Sequence, residues 1–241
     1  MNIEFWSDIV CPWCGLMDHR LRRAVDRFEH GADVRITHRS FQLHPDLPRE
    51  GVTQRRLFEM FGVERAAGEQ LVGSIEKLAA AEGLSPYYAL DRTLGPTDFA
   101  HELLAYATEQ GRGNEIWSAM FRVHFGQARK LWTAEQVLDF AAEVHLDRDG
   151  AAEALQSRRY RTQVAADQLA ARRLGARGTP FIVLDGRYAL SGAVGTDELH
   201  SAMAAVRHEG RSTGVTPLLP VTEADGMCAP DGCATSAASG N

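Results

Sequence analysis

Apolar residues fall into short, dense runs near both ends of the chain and recur at helical spacing through its middle. Ile3 to Trp6 is a compact apolar run of strand length, followed by a loop at Ser7-Asp8-Ile9-Val10. From Pro12 the spacing turns helical: Leu16, Leu21, Val25 and Phe28 share a face, while Asp18, Arg20, Arg22 and Arg23 lie largely off it. Gly31 is expected to end this helix. Val34 to Phe41 then alternates as a second strand with some polar positions on its inner face. A strand, a helix and a strand in such close succession predict a right-handed βαβ unit with parallel strands.

After a loop at Pro45–Gly51, the spacing predicts helices over 53–61, 64–82, 97–110, 113–125 and 133–144, with no strand pattern between them. Thr53, Thr97, Asn114 and Thr133 are candidate caps, and Gly62, Gly83, Ser85-Pro86, Gly95-Pro96 and Gly111 are breakers. One long helix is expected over 149–174, ending at Gly175 with Arg172 and Arg173 in its last turn. Phe181 to Leu184 and Tyr188 to Leu190 read as two strands joined at Asp185-Gly186, a strong hairpin turn signal. A last helix covers 196–208. The order β-α-β, helical insert, helix, hairpin, helix predicts a thioredoxin fold in the α/β class with a large all-helical insertion. In this division 1–51 and 149–210 form a discontinuous thioredoxin-like domain and 52–148 the helical insertion. The segment 211–241, rich in Gly, Pro, Ser and Ala and without periodicity, is expected to be a flexible tail.

Composition narrows the function classes. With 241 residues the chain can bury a core without a metal or disulfide staple. Lys plus Arg is 26 and Asp plus Glu is 32, and the resulting net charge of −6 disfavours a nucleic-acid or membrane surface. No apolar run reaches membrane-spanning length, and the residues before the first motif hold no basic segment or apolar h-region. A cytoplasmic location is therefore expected. The nine histidines form no metal-ligand pattern, and His101-Glu102 lacks the second His of a zinc-protease helix. No metal is expected. The arginine-rich stretch 158–173 reads as a solvated helix face.

The four cysteines form two close pairs, Cys11 with Cys14 and Cys228 with Cys233. Cys11 stands where the first helix begins and Pro12 at its first position, where a missing N–H costs nothing. The partial positive charge of a helix start stabilises a thiolate, so Cys11 is expected to ionise below an ordinary thiol. Cys14, one turn on, can attack a mixed disulfide at Cys11 and close the Cys11–Cys14 bond. Cysteine is often simply buried, and a Cys pair can be half a zinc site. The strand, loop and Pro-started helix around this pair favour redox chemistry instead. Thr179-Pro180 opens a strand without an N–H for the ladder, which a cis peptide would explain. The Thr179 backbone would then face the cysteines and bind an extended substrate. Glu4, in an otherwise apolar strand, is a candidate proton relay to the resolving thiol, and Asp8 reads chiefly as a turn former. Cys228-Ala229-Pro230-Asp231-Gly232-Cys233 can close a short disulfide loop and is a candidate second redox pair that relays electrons to the first.

Ser7-Asp8-Ile9-Val10-Cys11-Pro12-Trp13-Cys14 resembles the opening motif of the FrnE-like branch of the DsbA-like thioredoxin superfamily, a branch related to the 2-hydroxychromene-2-carboxylate isomerases. Phe41-Gln42-Leu43-His44-Pro45-Asp46 with Glu50-Gly51, Ala100-His101 with Leu103, and Gly178-Thr179-Pro180-Phe181 carry the same resemblance, over about residues 3–206. It implies a thioredoxin domain with an inserted helical domain and thiol–disulfide activity at Cys11 and Cys14. Pro12, Trp13, Thr179 and Pro180 are then substrate-contacting, and Glu4 corresponds to the strand acid of DsbA-like proteins. DsbA itself carries His where Trp13 stands, and that dipeptide tunes redox poise, so strong oxidising power does not follow.

The expected function is that of a protein disulfide oxidoreductase or isomerase acting on protein or small-thiol disulfides, as a monomer or homodimer. It needs no cofactor beyond its own redox-active disulfide, with glutathione or thioredoxin as electron partner. One alternative is a glutathione-dependent isomerase or kappa-like transferase, although such relatives typically have serine where Cys11 stands. A second is a chaperone-like module whose groove is lined by Phe58, Met60, Phe61, Met120, Phe121 and Phe125. Ordinary packing explains that set more simply. His38 and His44 border the motifs and are assigned packed or solvated roles.

Overall fold

The computed structural model describes residues 1–209, 222–223, 226–230 and 232–234. β1 (Asn2–Ser7) leads into α1 (Pro12–Arg27), and β2 (Arg35–Ser40) follows after a single 3₁₀ turn. The insert holds β3 (Val52–Thr53), α2 (Gln54–Met60), α3 (Arg65–Ala81), β4 (Thr93–Leu94), α4 (Asp98–Glu109), α5 (Gly113–Gln127) and α6 (Ala134–Glu143). The chain returns through α7 (Arg148–Gln156) and α8 (Arg161–Arg173) to β5 (Phe181–Leu184), β6 (Tyr188–Ser191) and α9 (Thr196–Glu209). Beyond it lie β7 (Thr222–Glu223), β8 (Met227–Ala229) and β9 (Gly232–Ala234).

The main sheet has the order β2-β1-β5-β6-β7. β1 and β2 are parallel, with Ile3 opposite Ile36 and Ser7 opposite Ser40. β5 runs antiparallel to β1, with Trp6 opposite Phe181, and β6 folds back on β5. Asp185 and Gly186 both take positive φ, 48° and 65°, the pair that a two-residue hairpin with the twist of its strands requires. This is a thioredoxin-like fold, mixed α/β, with helices inserted after β2. All four residues of β5 are buried, as a strand covered on both faces must be. α1 and α9 pack together on one face of the sheet, while α8 lies against β1 and β2.

Local rules account for most element ends. Thr53 caps α2 by accepting the Arg56 N–H, and Thr133 forms a reciprocal capping box with Gln136 at α6. Asn114 does not cap α5, whose N-cap is Arg112. Its amide instead donates to the Ile36 carbonyl at 3.0 Å, and its carbonyl oxygen meets His38 Nδ1 at 3.0 Å, which ties α5 to β2. Thr97 stands at the start of α4 without a side-chain cap bond. α1 ends at Arg27, with Phe28 as its C-cap, and Gly31 opens the 3₁₀ turn instead.

Three expectations are corrected. The single helix over 149–174 is broken: Arg158 turns left-handed at φ 54°, and Arg159 N–H reaches back to the Ala154 carbonyl to close α7. Nothing in the apolar spacing marks this break, because Arg rather than Gly occupies the left-handed position. The ion pairs of Arg158 with Glu102 at 2.6 Å and Asp98 at 2.9 Å hold it there. The insert, expected to be purely helical, contains the short antiparallel pair β3–β4. The described part of 211–241 is not a loose tail either: β7 extends the main sheet beside β6, and β8 and β9 form a hairpin. The rest of that segment lies outside the described residues.

α5 also carries a buried histidine that makes the fold sensitive to acid. His124 sits between the Arg129 carbonyl, 2.9 Å from Nδ1, and the Arg92 guanidinium, 2.7 Å from Nε2. Burial and the neighbouring cation push its pKa from 6.5 down to about 3. The unfolded chain therefore takes up a proton near pH 6.5 that the folded chain refuses, and His124 costs about 1.4 kcal/mol of stability for each pH unit below that point. Urea unfolding should show stability falling as pH drops from 6.5 toward 4, with a shallower fall in His124→Gln. An unchanged slope in the variant would refute the assignment.

Candidate active site

The loop after β1 delivers Cys11 to the N-cap of α1 in extended geometry (φ −79°, ψ 113°), with Pro12 at the first helical position. Its N–H bonds the Asp8 carbonyl at 3.1 Å, which tightens the loop, and its own carbonyl accepts the Cys14 N–H at 3.0 Å. Both thiols are free and fully buried. Their surroundings separate them. Burial raises the Cys11 thiol, but hydrogen bonding, led by the bond from the Cys14 thiol, outweighs it and brings Cys11 below the ordinary value of 9.0. Burial drives Cys14 well above 9.0, reinforced by the charge that Cys11 carries. Cys11 is the group that ionises, and Cys14 holds its proton until called on.

The Thr179–Pro180 peptide is cis. The carbonyl oxygen of Thr179 lies 3.5 Å from Cys11 Sγ, so the turn before β5 faces the nucleophile. The structure thus brings together Cys11, Cys14, Pro12, Trp13, Thr179 and Pro180. Cys228 joins them: Thr179 N–H donates to the Cys228 carbonyl and Cys228 N–H to the Thr179 carbonyl, both at 2.7 Å. Cys228 is disulfide-bonded, and the β8–β9 register sets it opposite Cys233. The Cys233 side chain lies outside the described residues.

Glu4 is not part of this group. Its carboxylate pairs with Arg39 at 2.9 Å and is about a third exposed. The face of β1 that carries Glu4 also carries Trp6 and is covered by α8, where Trp6 Nε1 donates to the Asp167 carbonyl at 2.8 Å and Arg39 also reaches Asp167. Strand alternation fixes this: a residue two positions from Trp6 shares its face.

The buried carboxylate at the site is Asp8, more than the turn former its position suggests. It is fully buried, accepts the Leu43 N–H at 2.7 Å and meets His101 Nε2 of α4 at 3.3 Å. Burial opposes its charge, but His101 and the Leu43 N–H hold its pKa below 3.8. Its negative charge in turn raises Cys11. Two further insert residues border the pair. Tyr87 donates its hydroxyl to the Pro12 carbonyl, between the two cysteines, and stacks on Phe125 with ring centroids 4.6 Å apart. The Arg92 guanidinium lies over the same Phe125 ring, 4.9 Å from its centroid. His44 is largely buried, and its pKa falls below 6.5 by burial. His38 is packed between Asp18 and Asn114 and stacks on Trp117. Of the residues in the imagined apolar groove, Phe58, Met120, Phe121 and Phe125 are buried between helices, and only Met60 and Phe61 are exposed.

Residues 2–204 match the family model of the DSBA-like thioredoxin domain. The chain belongs to this family. A probable DsbA oxidoreductase from Streptomyces coelicolor superposes on this DsbA-like chain with a TM-score of 0.79 at 32% identity, covering 98% of this chain and all of that one. The cytosolic disulfide reductase DsbM of Pseudomonas aeruginosa, whose structure is also known with GSH, gives 0.57 at 18% identity over 86% of this chain and 99% of its own. A 2-hydroxychromene-2-carboxylate isomerase gives 0.63 at 14% identity over 88% and 97%. The last two likenesses concern the fold alone. Among the described residues of this DsbA-like chain no helix is long and apolar enough to cross a membrane.

The thiol asymmetry can be moved in both directions. Cys14→Ala removes the hydrogen bond its thiol gives Cys11 and should raise the Cys11 pKa. Asp8→Asn removes a like charge and should lower it. Thiolate absorbance at 240 nm followed against pH in each variant reports both shifts, and a common shift in one direction would contradict this account.

Proposed function

We propose that this DsbA-like chain is a thiol–disulfide oxidoreductase in which Cys11 is the nucleophile and Cys14 the resolving thiol. The carrying observation is the pair of buried thiols at the start of α1, one favoured as thiolate and the other held protonated, with the Thr179 carbonyl 3.5 Å from the first. The Cys11 thiolate attacks a substrate disulfide, releases one substrate thiolate and forms a mixed disulfide. Cys14 then gives up its proton and attacks Cys11 Sγ, which releases the second thiolate and leaves the Cys11–Cys14 bond. Two electrons have passed to the substrate, and the reverse sequence oxidises it.

Pro12, Trp13, Thr179 and Pro180 form the rim that meets the substrate, with the Thr179 N–H and C=O as its strand-pairing groups. Protein and small-thiol disulfides are the substrate class, with glutathione or thioredoxin returning electrons, and a reducing cytoplasm suits this direction. Disulfide isomerisation uses the same first step. A cysteine at position 11 favours this reading over glutathione activation by a hydroxyl.

We read the disulfide at Cys228 as a second redox pair, a reading supported by the hydrogen bonds of Cys228 to Thr179 beside Cys11. Attack of Cys11 on the Cys228 sulfur would expel its partner thiolate, which we assign to Cys233, and resolution by Cys14 would leave that pair reduced and the first oxidised. Cys11→Ser should lower disulfide exchange by more than a hundredfold in a dithiol-coupled assay. Titration against glutathione should give two two-electron couples in the full chain and one in a chain ending at Gly226. In Cys14→Ser, peptide mapping should find Cys11 joined to Cys228; its absence would remove the relay, and full exchange activity in Cys11→Ser would remove the whole reading.

A further inference from the structure

Residues 226–229 lie against Trp13 and the turn before β5, beside the redox pair, and the way they are held bears on what the site accepts. The stretch runs antiparallel to the turn before β5. Its Cys228 exchanges both backbone hydrogen bonds with Thr179 at 2.7 Å, and its Gly226 carbonyl accepts the Ala193 N–H at 2.9 Å. Ser191 Oγ donates to Met227 Sδ at 3.3 Å. Two glycines permit the approach. A Cβ at Gly178 would strike the Cys228 carbonyl oxygen, and a Cβ at Gly226 would lie 2.7 Å from the Trp13 ring. Gly226 also takes φ +105°, a conformation that side-chain-bearing residues rarely adopt.

These contacts consume the groups an incoming peptide would need. The N–H and C=O of Thr179 are the backbone pair beside Cys11, and both are already satisfied. The occupant is extended, its cysteine stands at the residue opposite Thr179, and that cysteine is disulfide-bonded. Cys11 has no exposed surface, and the stretch packs on its two neighbours, Trp13 and the Gly178-Thr179 turn. β8 is only three residues long, and among the described residues it pairs with the equally short β9 and with Thr179, so it adds to the fold as a bound strand does.

We propose that residues 226–229 are a tethered substrate mimic: they fill the peptide edge beside Cys11, shield it until displaced, and reveal that incoming segments fit when extended, with glycine two residues before the cysteine. This deepens the redox reading above and rests on it for the substrate class, whereas the shielding itself does not depend on catalysis.

Gly226→Val in the full chain tests both halves. With the Cys228 disulfide intact, iodoacetamide should alkylate Cys11 at least tenfold faster in the variant than in the native chain at pH 7. Hydrogen exchange at the Thr179 and Cys228 amides should lose protection in the same variant. The disulfide-closed peptide of residues 226–233 should then be reduced by the Gly226→Val chain at least tenfold faster than the same peptide carrying Gly226→Val. Equal alkylation rates with unchanged amide protection would overturn the shielding. Equal reduction of the two peptides would overturn the glycine requirement. Failure to reduce either peptide, with alkylation still accelerated, would count against the redox reading and leave the shielding in place.

Discussion

Everything at this site follows from burying two sulfurs at one helix start. Removing a thiol from water disfavours its ionised form, so two buried cysteines left to themselves would both stay protonated. The start of α1 prevents that symmetry. Cys11 receives hydrogen bonds from Cys14, and the proton that stabilises its charge is the one Cys14 keeps. Ionisation of either sulfur makes ionisation of the other harder, which commits the pair to one nucleophile and one reserve thiol.

The helical insert supplies walls for this centre as well as bulk. Tyr87 reaches from the loop after α3 to the Pro12 carbonyl, and His101 of α4 reaches Asp8 beneath the loop that carries Cys11. Gly15, one residue past the resolving thiol, shows how close the two parts lie: a Cβ there would meet the Tyr87 hydroxyl and the Phe125 ring. The βαβ unit presents the cysteines, and α4, α5 and the 83–92 loop determine how dry their surroundings are. A dry site strengthens each hydrogen bond to the thiolate and each charge that opposes it, the Asp8 carboxylate included.

Much of this was legible in the sequence. The Cys-Pro-Trp-Cys run after a short apolar strand specifies a helix start with two thiols on one turn, because Pro at the first position and the three-residue spacing are local facts. The hairpin at Asp185-Gly186 and the caps at Thr53 and Thr133 are equally local, since each depends on a backbone conformation within a few residues. The carboxylates were less legible. Glu4 and Asp8 are both acidic residues near the first motif, and only the tertiary packing shows that Glu4 pairs with Arg39 on the face that α8 covers while Asp8 is buried with His101 of α4.

The sequence by itself determined most of the helices, the longer strands, the βαβ order and the redox pair, since periodicity, capping and turn chemistry act over a few residues. Tertiary structure alone decided the partner of each charge, the break between α7 and α8 at Arg158, and the return of Cys228 to Thr179. Those depend on groups far apart in the chain competing for the same buried donors and acceptors, and a buried hydrogen-bonding group is satisfied by whichever partner the packing brings within reach.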